Sequence, residues 1–332
     1  MLNALKNLPL RAAVKRASPA PVPAEPIVDA ATGRLRYLDS FGLRGAPFQA
    51  TPNTDFFCGA GGRAVVLYEL LARLRLGAAV VTLTGESGTG KTLLARLLRS
   101  CAPRAMDVLF LAKPARWRGE FVALLADELG VEVSFGGSDG RTELRAALQR
   151  RCAEGRWTVL VVDDAHRLPQ EVLQDIVSLA APSDGARPAL SWLLLGPDGL
   201  RASLDACAAG TGLDGTPVHL QLERLPELEA VAYLAHRMLR AGGSASTFDG
   251  PAALRIARGA MGISARINVL ADKSLMAAWL EGAPQVGLRH VELALNDSAF
   301  RALRASAGDA APRSTALGRM WRRYGLGRIG PA

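Results

Sequence analysis

Eight consecutive residues, Gly85-Glu86-Ser87-Gly88-Thr89-Gly90-Lys91-Thr92, place glycines, a lysine and a hydroxyl in one short loop. Glycines at this spacing let backbone N–H groups curl around phosphate oxygens at the positive end of a following helix. In such a loop the lysine, here Lys91, reaches the outer phosphates, and the hydroxyl of Thr92 ligates Mg²⁺. The candidate nucleotide-contacting set runs from Gly85 through Glu86, Ser87, Gly88, Thr89, Gly90, Lys91 and Thr92 to Leu93, with ATP and Mg²⁺ as the cofactors it would take. Further along, Val159-Leu160-Val161-Val162 is an apolar run that ends in Asp163-Asp164. An open α/β sheet presents ligands at the carboxyl ends of its strands, so Asp163 becomes the second metal residue, holding Mg²⁺ through its water shell. Asp164 becomes the group that polarises an attacking water, and with Lys91 makes the candidate catalytic pair.

These residues need a strand before the loop and a helix after it. Ala79–Thr84 is a short β-branched run suited to a buried strand, and Leu93, Leu94, Leu97 and Leu98 follow helical spacing. The alternation continues with a helix over 64–76, a strand at 108–111, a helix at 121–129, a strand at 158–162, a helix at 170–180 and a strand at 189–195. Strands apolar on both faces and alternating with helices predict an α/β fold, a P-loop NTPase parallel sheet flanked by helices. From Pro226 onward only helical periodicity is visible, which predicts a small all-helical lid. The expected organisation is a basic amphipathic start and Pro-rich linker over 1–36, an α/β core over 37–223, a helical lid over 224–300 and a basic tail over 301–332.

With 332 residues and 49% hydrophobic content the chain buries a full core. Its net charge of +9 sits in the ends. Residues 1–24 carry Lys6, Arg11, Lys15 and Arg16, and residues 310–332 carry Arg313, Arg319, Arg322, Arg323 and Arg328, with no acid in either. Removing those nine from 40 bases leaves 31 against 31 acids, so the middle is neutral. Two cationic arms suit an anionic lipid surface, nucleic acid or an acidic partner. Leu317-Gly318-Arg319-Met320-Trp321-Arg322-Arg323-Tyr324 mixes apolar groups with arginines, and reads as an interfacial membrane anchor, a protein-docking segment or a solvated tail. Cys58, Cys101, Cys152 and Cys207 match no metal spacing and read as reduced thiols, which suits the cytosol; no apolar run is long enough to span a membrane. His166, His219, His236 and His290 have no ligand-like spacing, and Trp117, Trp157 and Trp192 are expected in the core or at the sheet edge.

The sequence also resembles the AAA+ ATPases of bacterial secretion and pilus assembly, the general secretion pathway protein A and MshM group, over about residues 37–297. The resemblance is carried by Tyr37, Phe41-Gly42-Leu43, Pro47-Phe48, Pro52 and Phe56-Phe57 before the loop, and by Asp163-Asp164-Ala165-His166-Arg167-Leu168 after it. In the lid it is carried by Tyr233-Leu234-Ala235-His236-Arg237 and by the run from Gly262 to Lys273. It implies an oligomer with nucleotide at subunit interfaces. Several departures fall on positions that such enzymes use for hydrolysis. Asp164 stands where the family has Glu, Ser264-Ala265 stand where it has Pro-Arg, and Pro197 replaces a glutamine. Gly210–Gly215 replaces an arginine-rich stretch. Arg266 is the remaining candidate for the sensor arginine, about 100° around a helix from the family's position. The resulting expectation is an ATP-binding, slow or partner-dependent ATPase that assembles a cell-envelope machine (a secretion system, type IV pilus or polysaccharide exporter). It would act on the cytoplasmic side, peripheral on the inner membrane. The alternatives are a DNA-binding regulatory ATPase of transposition type and a nucleotide-gated switch without meaningful turnover.

Overall fold

The computed structural model describes residues 35–49, 51–111, 113–132, 140–180, 188–208 and 217–305. Both charged ends, the Pro-rich linker and the Gly210–Gly215 stretch lie outside the described residues. In chain order the elements are α1 (Tyr37–Ser40), α2 (Arg63–Arg75), β1 (Val80–Thr84), α3 (Lys91–Cys101), β2 (Met106–Phe110), α4 (Arg118–Leu129), α5 (Arg141–Ala153) and β3 (Trp157–Val162). They continue with α6 (Gln170–Ala180), β4 (Leu190–Gly196), α7 (Gly199–Ala208), β5 (Val218–Gln221), α8 (Glu227–Arg240), α9 (Gly250–Ala260), α10 (Ser264–Leu280), α11 (Leu288–Leu295) and α12 (Ser298–Ala305).

The strands form one parallel sheet in the order β2-β3-β4-β1-β5. Because neighbouring side chains on a strand point to opposite faces, an apolar run feeds two cores at once. Val159 and Val161 pack with Val81, Leu83, Leu94 and Leu98 under α2 and α3, while Leu160 and Val162 pack with Trp192, Phe121, Leu144 and Ile176 under α4 to α7. The predicted α/β class is therefore what forms, with helices on both faces of the sheet. The helices from α8 onward enclose a further core of Leu234, Ile256, Ile267, Leu275 and Phe300.

Tyr37, Leu38, Phe41, Leu43 and Phe48, expected to open the α/β core, pack instead among these C-terminal helices. The Tyr37 hydroxyl donates to Asp272 on α10, and the Arg44 N–H donates to the Ala241 carbonyl at 2.8 Å. Residues 37–48 therefore pack on the helical unit, and residues 51–62 lead from there to α2 beside the sheet. Another expectation fails at Trp117, which is 59% exposed, whereas Trp192 on the central β4 is fully buried against Phe121. Among the described residues no helix is long and apolar enough to cross a membrane.

Candidate functional site

β1 stops at Thr84 because the next residue leaves the extended region: Gly85 has φ 144°, Gly88 φ 82° and Gly90 φ 111°. These are backbone states that side chains rarely tolerate, and the loop is crowded as well. A Cβ on Gly85 would lie 2.3 Å from the Leu222 carbonyl oxygen, and one on Gly88 would lie 2.8 Å from the Ala265 Cβ. The Thr89 hydroxyl donates to the Glu86 carbonyl at 2.9 Å and closes the loop on itself. α3 then begins at Lys91, so the first N–H groups of that helix, which no helix satisfies from within, point into the loop.

Lys91 Nζ donates to the carbonyls of Gly85 at 2.7 Å and Glu86 at 2.9 Å, folding the ammonium back over the loop. Burial pushes its pKa down, and the carboxylates of Asp163, Asp164, Asp198 and Glu86 oppose that shift. The Thr92 hydroxyl donates to Asp163 Oδ2 at 2.6 Å, and the other oxygen of that carboxylate accepts the Asp164 N–H at 3.0 Å. β1 and β3 are separated in the sheet by β4, and their carboxyl ends bring together residues far apart in sequence. A hydroxyl and a carboxylate in contact beside a lysine form an all-oxygen set of the kind Mg²⁺ takes, so Thr92 and Asp163 fit the metal, with a nucleotide supplying further oxygens. Bound metal would neutralise phosphate charge; Lys91 and the loop amides would hold the phosphates in place.

Asp164 lies at the mouth of the same cleft, exposed, with φ 51° and ψ 38°. Left-handed backbone in a residue other than glycine is strained, and such strain concentrates where a side chain must be aimed.

The far side of the cleft is built by Gln49, Thr51, Pro52 and Asn53 and by Tyr233, Arg237, Ser264, Ala265 and Asn268 from the helical unit. Arg266, the candidate sensor, is 3% exposed and does not line this cleft. α10 begins at Ser264, so Ser264, Ala265 and Asn268 line the cleft and Arg266, buried, does not. Among the described residues Arg237 is the arginine that lines it; in the sequence it belongs to the lid resemblance, with no place assigned to it in the site. Its guanidinium donates to the Pro47 carbonyl and, at 2.8 Å, to the Tyr233 hydroxyl, which donates in turn to Asn268 Oδ1 at 2.9 Å. It also lies 5.0 Å from the centre of the Phe56 ring. Tyr233 and Arg237 four residues apart on an otherwise apolar helix face were the available signal. Outside this cleft, Arg224 and Glu86 form a bidentate ion pair, with one contact at 2.9 Å. Two of the histidines serve local structure: His219 joins the Thr82 hydroxyl at 2.8 Å to Asp205 at 3.0 Å, and His290 accepts the Gly287 N–H at 2.9 Å.

Comparison with known proteins agrees with this geometry. Residues 74–204 match the family model of an AAA domain. General secretion pathway protein A of Aeromonas hydrophila is 26% identical over 266 residues, covering 78% of this chain and 48% of that protein. The chain thus spans about half the length of that relative. Among solved structures, Cdc6p of Pyrobaculum aerophilum superposes with a TM-score of 0.54 at 18% identity, covering 71% of this chain and 68% of that one. A Walker-type ATPase of Pyrococcus abyssi gives 0.53 at 14% identity, covering 83% and 80%. At such identities the two structures speak for the fold alone. The chain thus has a P-loop AAA+ fold, matches an AAA domain over residues 74–204 and is similar in sequence to general secretion pathway protein A.

Proposed function

We propose that this protein binds ATP with Mg²⁺ between its sheet edge and its helical unit. In this reading it serves as an assembly factor for a bacterial cell-envelope machine, on the cytoplasmic side of the inner membrane. The residues in contact with the cofactors are Gly85 to Leu93, with Thr92 and Asp163 on the metal, Lys91 on the outer phosphates and Asp164 orienting water. The observation that carries the envelope role is the extent of the relationship to general secretion pathway protein A: it runs over 266 residues, far beyond the AAA domain at 74–204 that many ATPases share. Turnover is slow or partner-dependent, because the Asp164 carboxylate is one methylene shorter than a glutamate and reaches less far toward an attacking water. The chain works as an oligomer, and its basic ends meet an anionic membrane surface.

The test is steady-state and single-turnover ATP hydrolysis by the purified protein, alone and with anionic vesicles or double-stranded DNA. Slow turnover that vesicles raise and DNA does not is the expected result. Stimulation by DNA alone would replace this reading with a regulatory ATPase of transposition type. Tight binding without turnover under any condition would replace it with a nucleotide-gated switch.

A further inference from the structure

Arg63 opens α2 on the sheet side of the molecule, and the nucleotide chemistry above makes no use of it. It is 5% exposed, and burial pushes its guanidinium pKa below the ordinary value, opposed by Tyr233, Cys58 and Glu229 around it. Burying an arginine is unfavourable unless its donors are met, and here they are met from three parts of the chain. Nη1 donates to the Ala60 carbonyl at 3.1 Å; Nη2 donates to the Thr89 carbonyl at 3.1 Å and to the Ser264 hydroxyl at 3.0 Å. One guanidinium nitrogen is therefore shared between the phosphate loop and the first residue of α10. A parallel link runs beside it, from the Ala265 N–H to the Gly88 carbonyl at 3.0 Å.

The Thr89 carbonyl belongs to the same planar peptide unit as the Gly90 N–H, and the two point in opposite directions. Turning that N–H toward a phosphate oxygen turns the carbonyl away from it, and in this structure the carbonyl meets Arg63. We propose that Arg63 is a positioning residue that couples the phosphate loop to α10: nucleotide fixes the Thr89–Gly90 peptide, and the guanidinium passes that orientation to Ser264 and hence to the helical unit. The inference rests on the nucleotide reading above. A planar fork is required, because a lysine ammonium is a single point on a shorter reach and does not hold the Ala60, Thr89 and Ser264 acceptors together.

Hydrogen–deuterium exchange on the full chain, with and without Mg²⁺ and ATP, tests it. In the wild type, nucleotide slows exchange both in the loop at 85–92 and at the start of α10, 263–268. In Arg63→Lys the loop protection persists, while the nucleotide-dependent protection at 263–268 falls at least about fivefold, the scale of one hydrogen bond; in Ser264→Ala, whose side chain also lines the cleft, the protection at 263–268 relative to that at 85–92 falls by the same factor. The double variant loses no more than Arg63→Lys alone, since both changes cut one contact. Should Arg63→Lys fail to fold, Ser264→Ala, which removes a single hydroxyl, carries the test. Full protection of 263–268 in both variants, or protection in the wild type confined to the loop, overturns the coupling and leaves the nucleotide reading standing. Absence of nucleotide-dependent protection anywhere in the wild type, matching a Lys91→Ala control, overturns both.

Discussion

Gly262 and Gly42 have nearly the same left-handed backbone, φ 70° and φ 65°, in very different surroundings. A Cβ on Gly42 meets nothing within 4 Å, whereas one on Gly262 would lie 2.1 Å from the Leu225 carbonyl oxygen and 3.1 Å from the carbon and nitrogen of that residue. Substituting alanine at either site incurs the left-handed penalty of about 1–2 kcal/mol. That penalty is partly offset by about 0.4–1 kcal/mol of lost freedom in the unfolded chain, so Gly42→Ala should cost about 1 kcal/mol or less. At Gly262 a backbone group must also move by roughly 1 Å, adding about 1–3 kcal/mol of overpacking. The Leu225 N–H, which donates to the Gly262 carbonyl at 2.9 Å, would be disturbed as well, for about 1 kcal/mol more. Gly262→Ala should therefore destabilise by about 3–5 kcal/mol, read by urea unfolding followed by circular dichroism beside Gly42→Ala. Because Gly262 lies just before the turn of helix that touches Gly88, its variant should also weaken ATP binding, and the Gly42 variant should not. Equal destabilisation by the two, or unchanged ATP affinity in a folded Gly262→Ala, would refute the view that this close approach sets the helical unit on the phosphate loop.

Other outcomes follow from the same structure. Asp164→Gly removes a side chain held at φ 51°, so thermal denaturation should find it between unchanged and about 1 kcal/mol more stable, with ATP affinity kept and single-turnover hydrolysis lost. Asp163→Asn should bind ATP with little change in the absence of metal and lose the gain that Mg²⁺ gives the wild type, measured by titration with and without chelator. Asp272 is buried beneath the Tyr37 hydroxyl, and burial raises its pKa from the ordinary 3.8, against the hydrogen bond and the nearby Lys273. A carboxyl raised on folding contributes stability that is complete below the ordinary value and lost as pH rises through the folded one. Asp272→Asn lacks this titration, so its melting temperature should gain on the wild type as pH is raised from 3.8 through that window. A difference between the two that does not vary with pH would contradict this.

The sequence showed most clearly what depends on local pattern. The P-loop stood out because glycine spacing, a lysine and a hydroxyl coincide between an apolar β-branched run and a leucine helix, and every one of Gly85 to Thr92 falls in the loop or the first turn of α3. Asp163 was legible as the end of an apolar strand, and its contact with Thr92 follows from strand order. α5 was missed because Leu144, Ala147 and Leu148 make a narrow stripe among the arginines of Arg141–Ala153. β5 is four residues at the sheet edge, of which only Leu220 is buried, too short to register as a run. The sensor position could not be read because it depends on where α10 begins. Starting the helix at Ser264 turns Ser264 and Ala265 to the cleft and Arg266 away, and sequence spacing does not set that rotation. Nor could spacing say that Tyr37 to Phe48 would cross the chain to pack on helices about 200 residues later, since that contact is purely tertiary.

Whether the loop from Gly85 to Thr92 holds nucleotide is decided by isothermal titration of the full chain with ATP in Mg²⁺, beside Lys91→Ala. The wild type should bind saturably, and removing the charge-assisted contacts of Lys91 should cost at least about 2–3 kcal/mol, or roughly 30- to 150-fold in affinity. No binding by the folded wild type, or equal binding by the two proteins, would contradict nucleotide binding by this loop.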